Sequence, residues 1–160
     1  MHAWDEGVAF YTGSLEGTSG SSDGKLVYRL AEKRCANFGT CGLNGGATSG
    51  SAQVNHQLLA QFAEGKRLLE TGQCELVRPI VNKIVSLMTV PLVQGSVRYA
   101  YKLGASTLAS DRSQKNAAEG ATFSAAVLPL VHKCDPTAAA TISSNLKFCL
   151  LYTSPSPRDS

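Results

Sequence analysis

Ser51-Ala-Gln-Val-Asn-His-Gln-Leu-Leu-Ala-Gln-Phe-Ala-Glu-Gly-Lys-Arg-Leu-Leu-Glu-Thr71 is the stretch that decides the fold class. Val54, Leu58, Phe62 and Leu69 recur at helical intervals, which puts them along one side of a helix and the polar residues on the other. Ser49 or Ser51 can open this helix and Gly72 can end it. Nothing nearby alternates with period two over a run long enough to build a sheet.

The same reading extends in both directions. Towards the N-terminus, Trp4, Val8 and Tyr11 predict a helix over 2–12. A Gly/Ser-rich loop over 13–24 follows, and Asp23 is the expected N-cap of a helix over about 25–37 with Leu26, Leu30 and Ala31 inward. Phe38 to Gly50 reads as loop. Towards the C-terminus, Ile80, Ile84, Leu87 and Met88 predict a fourth helix, with a strand as the alternative because of its β-branched content. Pro79 fits a first turn, whereas Pro91 lacks an amide and is expected to kink or end the helix. Val93, Val97 and Tyr101 continue beyond it, and 104–115 is a polar linker. A helix over about 116–133 and another capped by Asp135, with Pro136 in its first position, complete an all-α bundle of five to six helices.

Composition narrows the function classes. The 160 residues suffice for one domain with a proper core, and the formal charge is +3. Lys and Arg occur singly or in pairs, without a basic stripe interleaved with aromatics, so nucleic acid is not an expected partner. No apolar run reaches the roughly 18 residues of a membrane span. No signal peptide is evident, and Met1 runs straight into amphipathic sequence, so the chain reads as a fragment of a larger protein.

Residues Cys149 to Ser160 resemble the conceptual translation of a sequencing adapter, the alternative being a genuine Ser/Pro-rich tail. The expected organisation is a helical domain over 1–148 and a non-native, disordered segment over 149–160. Without Cys149, four cysteines remain: Cys35, Cys41, Cys74 and Cys134. An even count suits two disulfides and an oxidising compartment. Cys35 and Cys41 bracket a short Gly-containing loop, and Cys74 and Cys134 are the remaining pair. A zinc site is the rival, though the paired close spacing of zinc cysteines is missing.

Chemistry-bearing residues gather at the N-terminus. His2, Asp5 and Glu6 lie three and four apart and share a helix face, a donor set that suits iron, manganese or zinc. Against this, Asp5 and Glu6 also read as first-turn acids complementing a helix dipole. Glu6-Gly-Val-Ala-Phe10 is echoed by Glu119-Gly-Ala-Thr-Phe123, with Leu15 and Leu128 at one offset. If the echo is a duplication, Glu6 and Glu119 hold equivalent places and Glu119 can join the same donor set. Tyr11, Tyr28, Tyr99 and Tyr101 are candidate phenolate donors for ferric iron and equally candidate core residues. Tyr99 and Tyr101 cannot share a helical face. His56 and His132 stand alone and read as surface histidines. Gly45-Gly46 before a helix is a weak anion signal, having neither a lysine nor a preceding strand. There is no Gly-x-Ser-x-Gly, Walker or His-Glu-x-x-His pattern, and the chain is not expected to be an enzyme.

His2-Ala-Trp-Asp-Glu-Gly-Val-Ala-Phe-Tyr-Thr-Gly-Ser-Leu-Glu-Gly17, with Arg34-Cys-Ala-Asn-Phe-Gly-Thr-Cys41, resembles the algal iron-assimilating, low-iron-inducible periplasmic proteins. Ala118-Glu-Gly-Ala-Thr-Phe-Ser-Ala-Ala-Val-Leu-Pro129 looks like that family's recurring unit. The resemblance covers most of 2–146, strongest in the first stretch. It implies a helical, cysteine-containing, non-enzymatic protein of the periplasmic space or cell surface that concentrates ferric iron near the plasma membrane of a microalga. A weaker likeness, of His2-x-x-Asp5 to the His-x-x-Glu of imelysin-type iron-regulated proteins, is broken by Asp at the acidic position.

The resemblance brings no ligand set with it. The metal donors expected from spacing and donor type are His2, Asp5, Glu6, Tyr11 and Glu119, with iron as the cargo and an anion such as carbonate as co-ligand. A membrane-bound uptake component is the expected partner. The alternative expectation is a structural or adhesive cell-surface module without metal.

Overall fold

A computed structural model describes residues 2–13 and 26–147. Those residues form six α-helices and no extended strand: α1 His2–Thr12, α2 Val27–Phe38, α3 Gln53–Glu70, α4 Val77–Gly104, α5 Gln114–Cys134 and α6 Pro136–Asn145. The all-α reading holds. Asp23, the Glu16–Gly17 end of the iron-family resemblance and the segment from Cys149 onward lie outside the described residues. The chain divides into two compact units, Met1–Pro91 and Leu92–Ser160.

The helix ends follow local chemistry where a cap is available. Asp135 Oδ1 accepts from the amides of Thr137 and Ala138 at 2.9 and 3.0 Å, and Pro136 takes the first turn of α6, as its sequence predicts. Ser113 caps α5 by accepting from the Asn116 amide at 3.3 Å. At the C-terminus of α2, Gly39 adopts φ 63°, a left-handed conformation that closes the helix. The N-terminus of α3 differs from expectation: neither serine caps it. Ala52 holds that position, and its amide donates to Glu32 Oε1 of α2 at 3.0 Å.

α4 also departs from the sequence reading, because it continues through Pro91 as a single helix. Only one intrahelical donor is lost at a proline, and Pro91 is fully buried, so its ring contributes packing against that loss. The continuous helical stretch Cys74–Gly104 is long and apolar enough, by length and composition, to cross a membrane. Ile84 in its first half is buried in the unit 1 core, while Val81 and Val85 are exposed.

The unit 1 core is built where α1, α2, α3 and the start of α4 meet. Tyr11, Ala31, Cys35, Leu58, Phe62 and Ile84 are buried together, with Ile80, Leu87 and Met88 packed against them. Leu68 is buried on α3 where Leu69 was the expected inward residue. In unit 2, Tyr99 stacks on Phe123 with ring centroids 5.6 Å apart, and the Ser96 and Ser124 hydroxyls meet at 3.1 Å. Gly95 makes that approach possible, since a Cβ there would come within 2.6 Å of the Phe123 ring.

Cys35 and Cys41 form a disulfide that closes the turn after α2. Cys41 then bridges to Ala47 and Ala52, so the bridge anchors the whole loop into α3. With a sequence separation of 6, the chain-entropy argument gives about 2 kcal/mol of stabilisation. Cys35→Ser with Cys41→Ser should therefore lower the urea-unfolding free energy by about that amount, an effect absent when wild type is already reduced. The expected second bridge is not formed: Cys74 and Cys134 are exposed free thiols, one in each unit.

Candidate functional site

α1 is where the sequence concentrates its donor residues, and two aromatic anchors fix it to the core. Trp4 donates its indole N–H to the Phe62 carbonyl at 3.1 Å and meets the Phe62 ring edge-on. Tyr11 is completely buried between Tyr28 and Phe62. With those residues turned inward, His2, Asp5 and Glu6 are exposed on the outer side of the helix. Asp5 stands 3.9 Å from Lys66, a loose surface pair of small energetic weight.

Of the four expected metal donors in unit 1, Tyr11 is turned away from the exposed His2, Asp5 and Glu6. Tyr11 faces the core, where its hydroxyl donates to Asn55 Oδ1, so it is directed away from the exposed acids of α1. Glu119 belongs to unit 2 and accepts a hydrogen bond from the Tyr99 hydroxyl. Among the described residues, no three His, Cys, Asp or Glu side chains are grouped so that they could hold a metal ion. His56 and His132 are exposed, and so is Tyr101.

The cluster that the fold does assemble is built around Asn55. This residue lies on the inner face of α3, one turn from Leu58, and is fully buried. Its amide accepts from Tyr11, donates to the Tyr28 carbonyl at 3.1 Å and donates to Glu32 Oε1 at 2.5 Å. Glu32 Oε1 also receives the Ala52 amide, which ties α1, α2 and α3 into one polar junction inside an apolar core. Burial pushes the Tyr11 phenol well above its ordinary range, and the nearby Tyr28 and Glu32 push it further the same way. Tyr28 is raised by burial and then by Glu32. The junction therefore uses the Tyr11 phenol as a neutral hydrogen-bond donor, which is the opposite of what a phenolate metal ligand needs.

The weak anion signal at Gly45-Gly46 has a local answer. The Gly45 amide donates to the Gly42 carbonyl at 3.1 Å and the Gly46 amide to Gly39 at 2.9 Å. At the start of α3, the side chain that meets the first amide is Glu32, so the chain supplies its own anion. Sequence reasoning missed Glu32 and Asn55. The available signal was an asparagine on the inner side of an amphipathic helix, where a polar residue requires partners.

No protein-family model matches the chain, and no curated protein or solved structure matches it.

Proposed function

We propose that this chain is part of an extracytoplasmic, non-enzymatic protein that captures ferric iron for uptake by an algal cell, through donors presented by α1. The observation that supports this reading is the outward acidic start of that helix. Trp4 and Tyr11 hold α1 in place while His2, Asp5 and Glu6 stay exposed to solvent. Carboxylates and an imidazole at this spacing suit a hard or borderline metal. The resemblance of residues 2–17 and 34–41 to the iron-assimilating family supports the same reading, and the buried Cys35–Cys41 bridge accords with an oxidising compartment.

A site on α1 alone is incomplete, and the remaining ligands would come from an anion such as carbonate or from another part of the protein. Calorimetry of the oxidised chain with ferric nitrilotriacetate, with and without bicarbonate, tests this. The expected result is stoichiometric binding that combined His2→Ala, Asp5→Ala and Glu6→Ala weakens by at least about tenfold, the effect of losing roughly 1.4 kcal/mol. An unchanged affinity in the triple variant would remove the α1 site.

A second reading, a metal-free structural or adhesive module of the cell surface, is favoured by a specific observation. Two of the expected donors, Tyr11 and Glu119, are engaged in hydrogen bonds within their own units. A folded chain that takes up no ferric iron in the same titration would support that reading over the first.

A further inference from the structure

The second half of α4 carries an exposed apolar ridge alongside a concentration of positive charge. Val93, Val97 and Tyr101 follow at four-residue spacing and are 43, 53 and 61 % exposed, and Leu108 in the next loop is 62 % exposed. Residues one position further on, Gln94, Arg98 and Lys102, form the adjacent ridge. The loop folds back on the helix end: the amides of Ala105 and Ser106 donate to the Tyr101 carbonyl at 2.8 and 2.9 Å. The Leu108 amide donates to Ser106 Oγ at 3.2 Å, and Arg112 Nη2 to the Ser106 carbonyl at 2.9 Å.

From Leu92 to Ala118 the chain has four cations, Arg98, Lys102, Arg112 and Lys115, against one acid, Asp111. That acid is already engaged by Lys102 at 2.5 Å and by the Ser106 hydroxyl at 2.7 Å. Arg98, Arg112 and Lys115 are left in excess over the acids of this stretch, Arg98 on the ridge next to Val97 and Tyr101.

We propose that this face of unit 2 docks on the surface of an anionic lipid bilayer. Val97, Tyr101 and Leu108 enter the interfacial layer, and Arg98, Arg112 and Lys115 meet the headgroup phosphates and carboxylates. The charge balance selects this occupant, since a cation-rich face with its one acid engaged complements an anionic surface and not another copy of itself. The size of the apolar ridge points the same way. Val93, Val97, Tyr101 and Leu108 make a narrow apolar strip, whereas a stable protein interface takes roughly 20 residues a side, apolar and polar together. A bilayer makes no such demand: tyrosine settles with its ring in the apolar boundary and its hydroxyl in water, and Arg and Lys lay their stems along apolar surface while their heads reach phosphate. The helix lies on the surface and does not cross, because its first half packs Ile80, Ile84, Leu87 and Met88 into the unit 1 core.

The test is sedimentation of the whole chain with vesicles of phosphatidylcholine containing about one-third phosphatidylserine, against phosphatidylcholine alone, where each surface cation contributes roughly fivefold in partitioning. The expected result is binding to the anionic vesicles about a hundredfold stronger than to neutral ones, falling at high salt. Combined Arg98→Gln and Lys115→Gln should lower it about 25-fold, and combined Val97→Ser and Tyr101→Ser about tenfold, with the helical circular dichroism unchanged. Phe10→Ser, which removes an exposed aromatic from unit 1, should leave it unaltered. Equal partitioning onto both vesicle types overturns the proposal. So does sensitivity to the charge variants with indifference to Val97→Ser and Tyr101→Ser, which would mark a plain polyanion surface. An equal loss in Phe10→Ser would reveal nonspecific adsorption and overturn it as well.

Discussion

Asn55→Ala is expected to destabilise unit 1 by about 3–4 kcal/mol. The amide is fully buried and serves three partners on two other helices. Alanine leaves the Tyr11 hydroxyl without its acceptor in a site that water does not reach, a cost of about 1–3 kcal/mol. It also takes one donor from Glu32, whose carboxylate keeps only the Ala52 amide among the bonds described here. The Tyr28 carbonyl suffers less, because it also lies within a helical hydrogen-bond ladder. Tyr11→Phe should cost about 1–2 kcal/mol by comparison, since it orphans a single acceptor.

The pair makes the argument testable beyond magnitude. With Tyr11→Phe in place there is no buried hydroxyl left to strand, so the double variant should lose clearly less than the two singles added together. Additive losses in urea unfolding would mean that the junction is not one coupled unit. The pH dependence has a definite sign. Because the Tyr11 phenol titrates above its ordinary value of 10.0 in the fold, the stability it contributes is fully present below pH 10.0 and is lost as pH rises beyond it towards the folded value. Wild type should therefore lose stability in that alkaline range, and Tyr11→Phe should lose less.

This junction marks the boundary of what the sequence discloses. The helices were legible because their apolar residues recur at a fixed period, and the caps of α6 because Asp135 and Pro136 act on their own neighbours. The Cys35–Cys41 bridge was legible for a related reason, its two ends being separated by a single turn. The passage of α4 through Pro91 was not, because burial of that ring is decided by distant packing. Nor was the start of α3, where no serine caps the helix and Glu32 from another helix binds the N-cap amide of Ala52. Donor type and spacing brought out His2, Asp5 and Glu6 as neighbours on α1, but spacing within one helix carries no information about where Tyr11 or Glu119 turn. Tyr11 is claimed by a core asparagine and Glu119 by a tyrosine, and both partners are remote in sequence.

Gly65→Ala should destabilise unit 1 although it adds only a single methyl group. Judged by helix propensity alone, the change is favourable, because alanine in a helix interior is preferred over glycine by about 1 kcal/mol. Packing reverses the sign. A Cβ at position 65 would lie 2.1 Å from Trp4 Cζ2 and 2.4 Å from Cη2, distances at which one side must move. Gly65 sits within α3 and is buried, so its backbone has little freedom to yield. The indole is a rigid ring, and displacing it breaks the bond from its N–H to the Phe62 carbonyl and the edge contact with the Phe62 ring. Overpacking of this kind costs about 1–3 kcal/mol, so a net loss of up to about 2 kcal/mol remains after the propensity gain. Trp4 is the only tryptophan in the chain, which gives the prediction its own spectroscopic readout. Expulsion of the ring should shift the emission to longer wavelength in the folded protein, together with a lower unfolding midpoint. Trp4→Ala in the Gly65→Ala background separates the causes: with the ring gone, alanine at 65 should become neutral or stabilising, as propensity alone dictates. If Gly65→Ala were instead stabilising with Trp4 present and its emission unchanged, α1 would not be seated on α3 in the way described. The outward presentation of His2, Asp5 and Glu6, which depends on that seating, would fall with it.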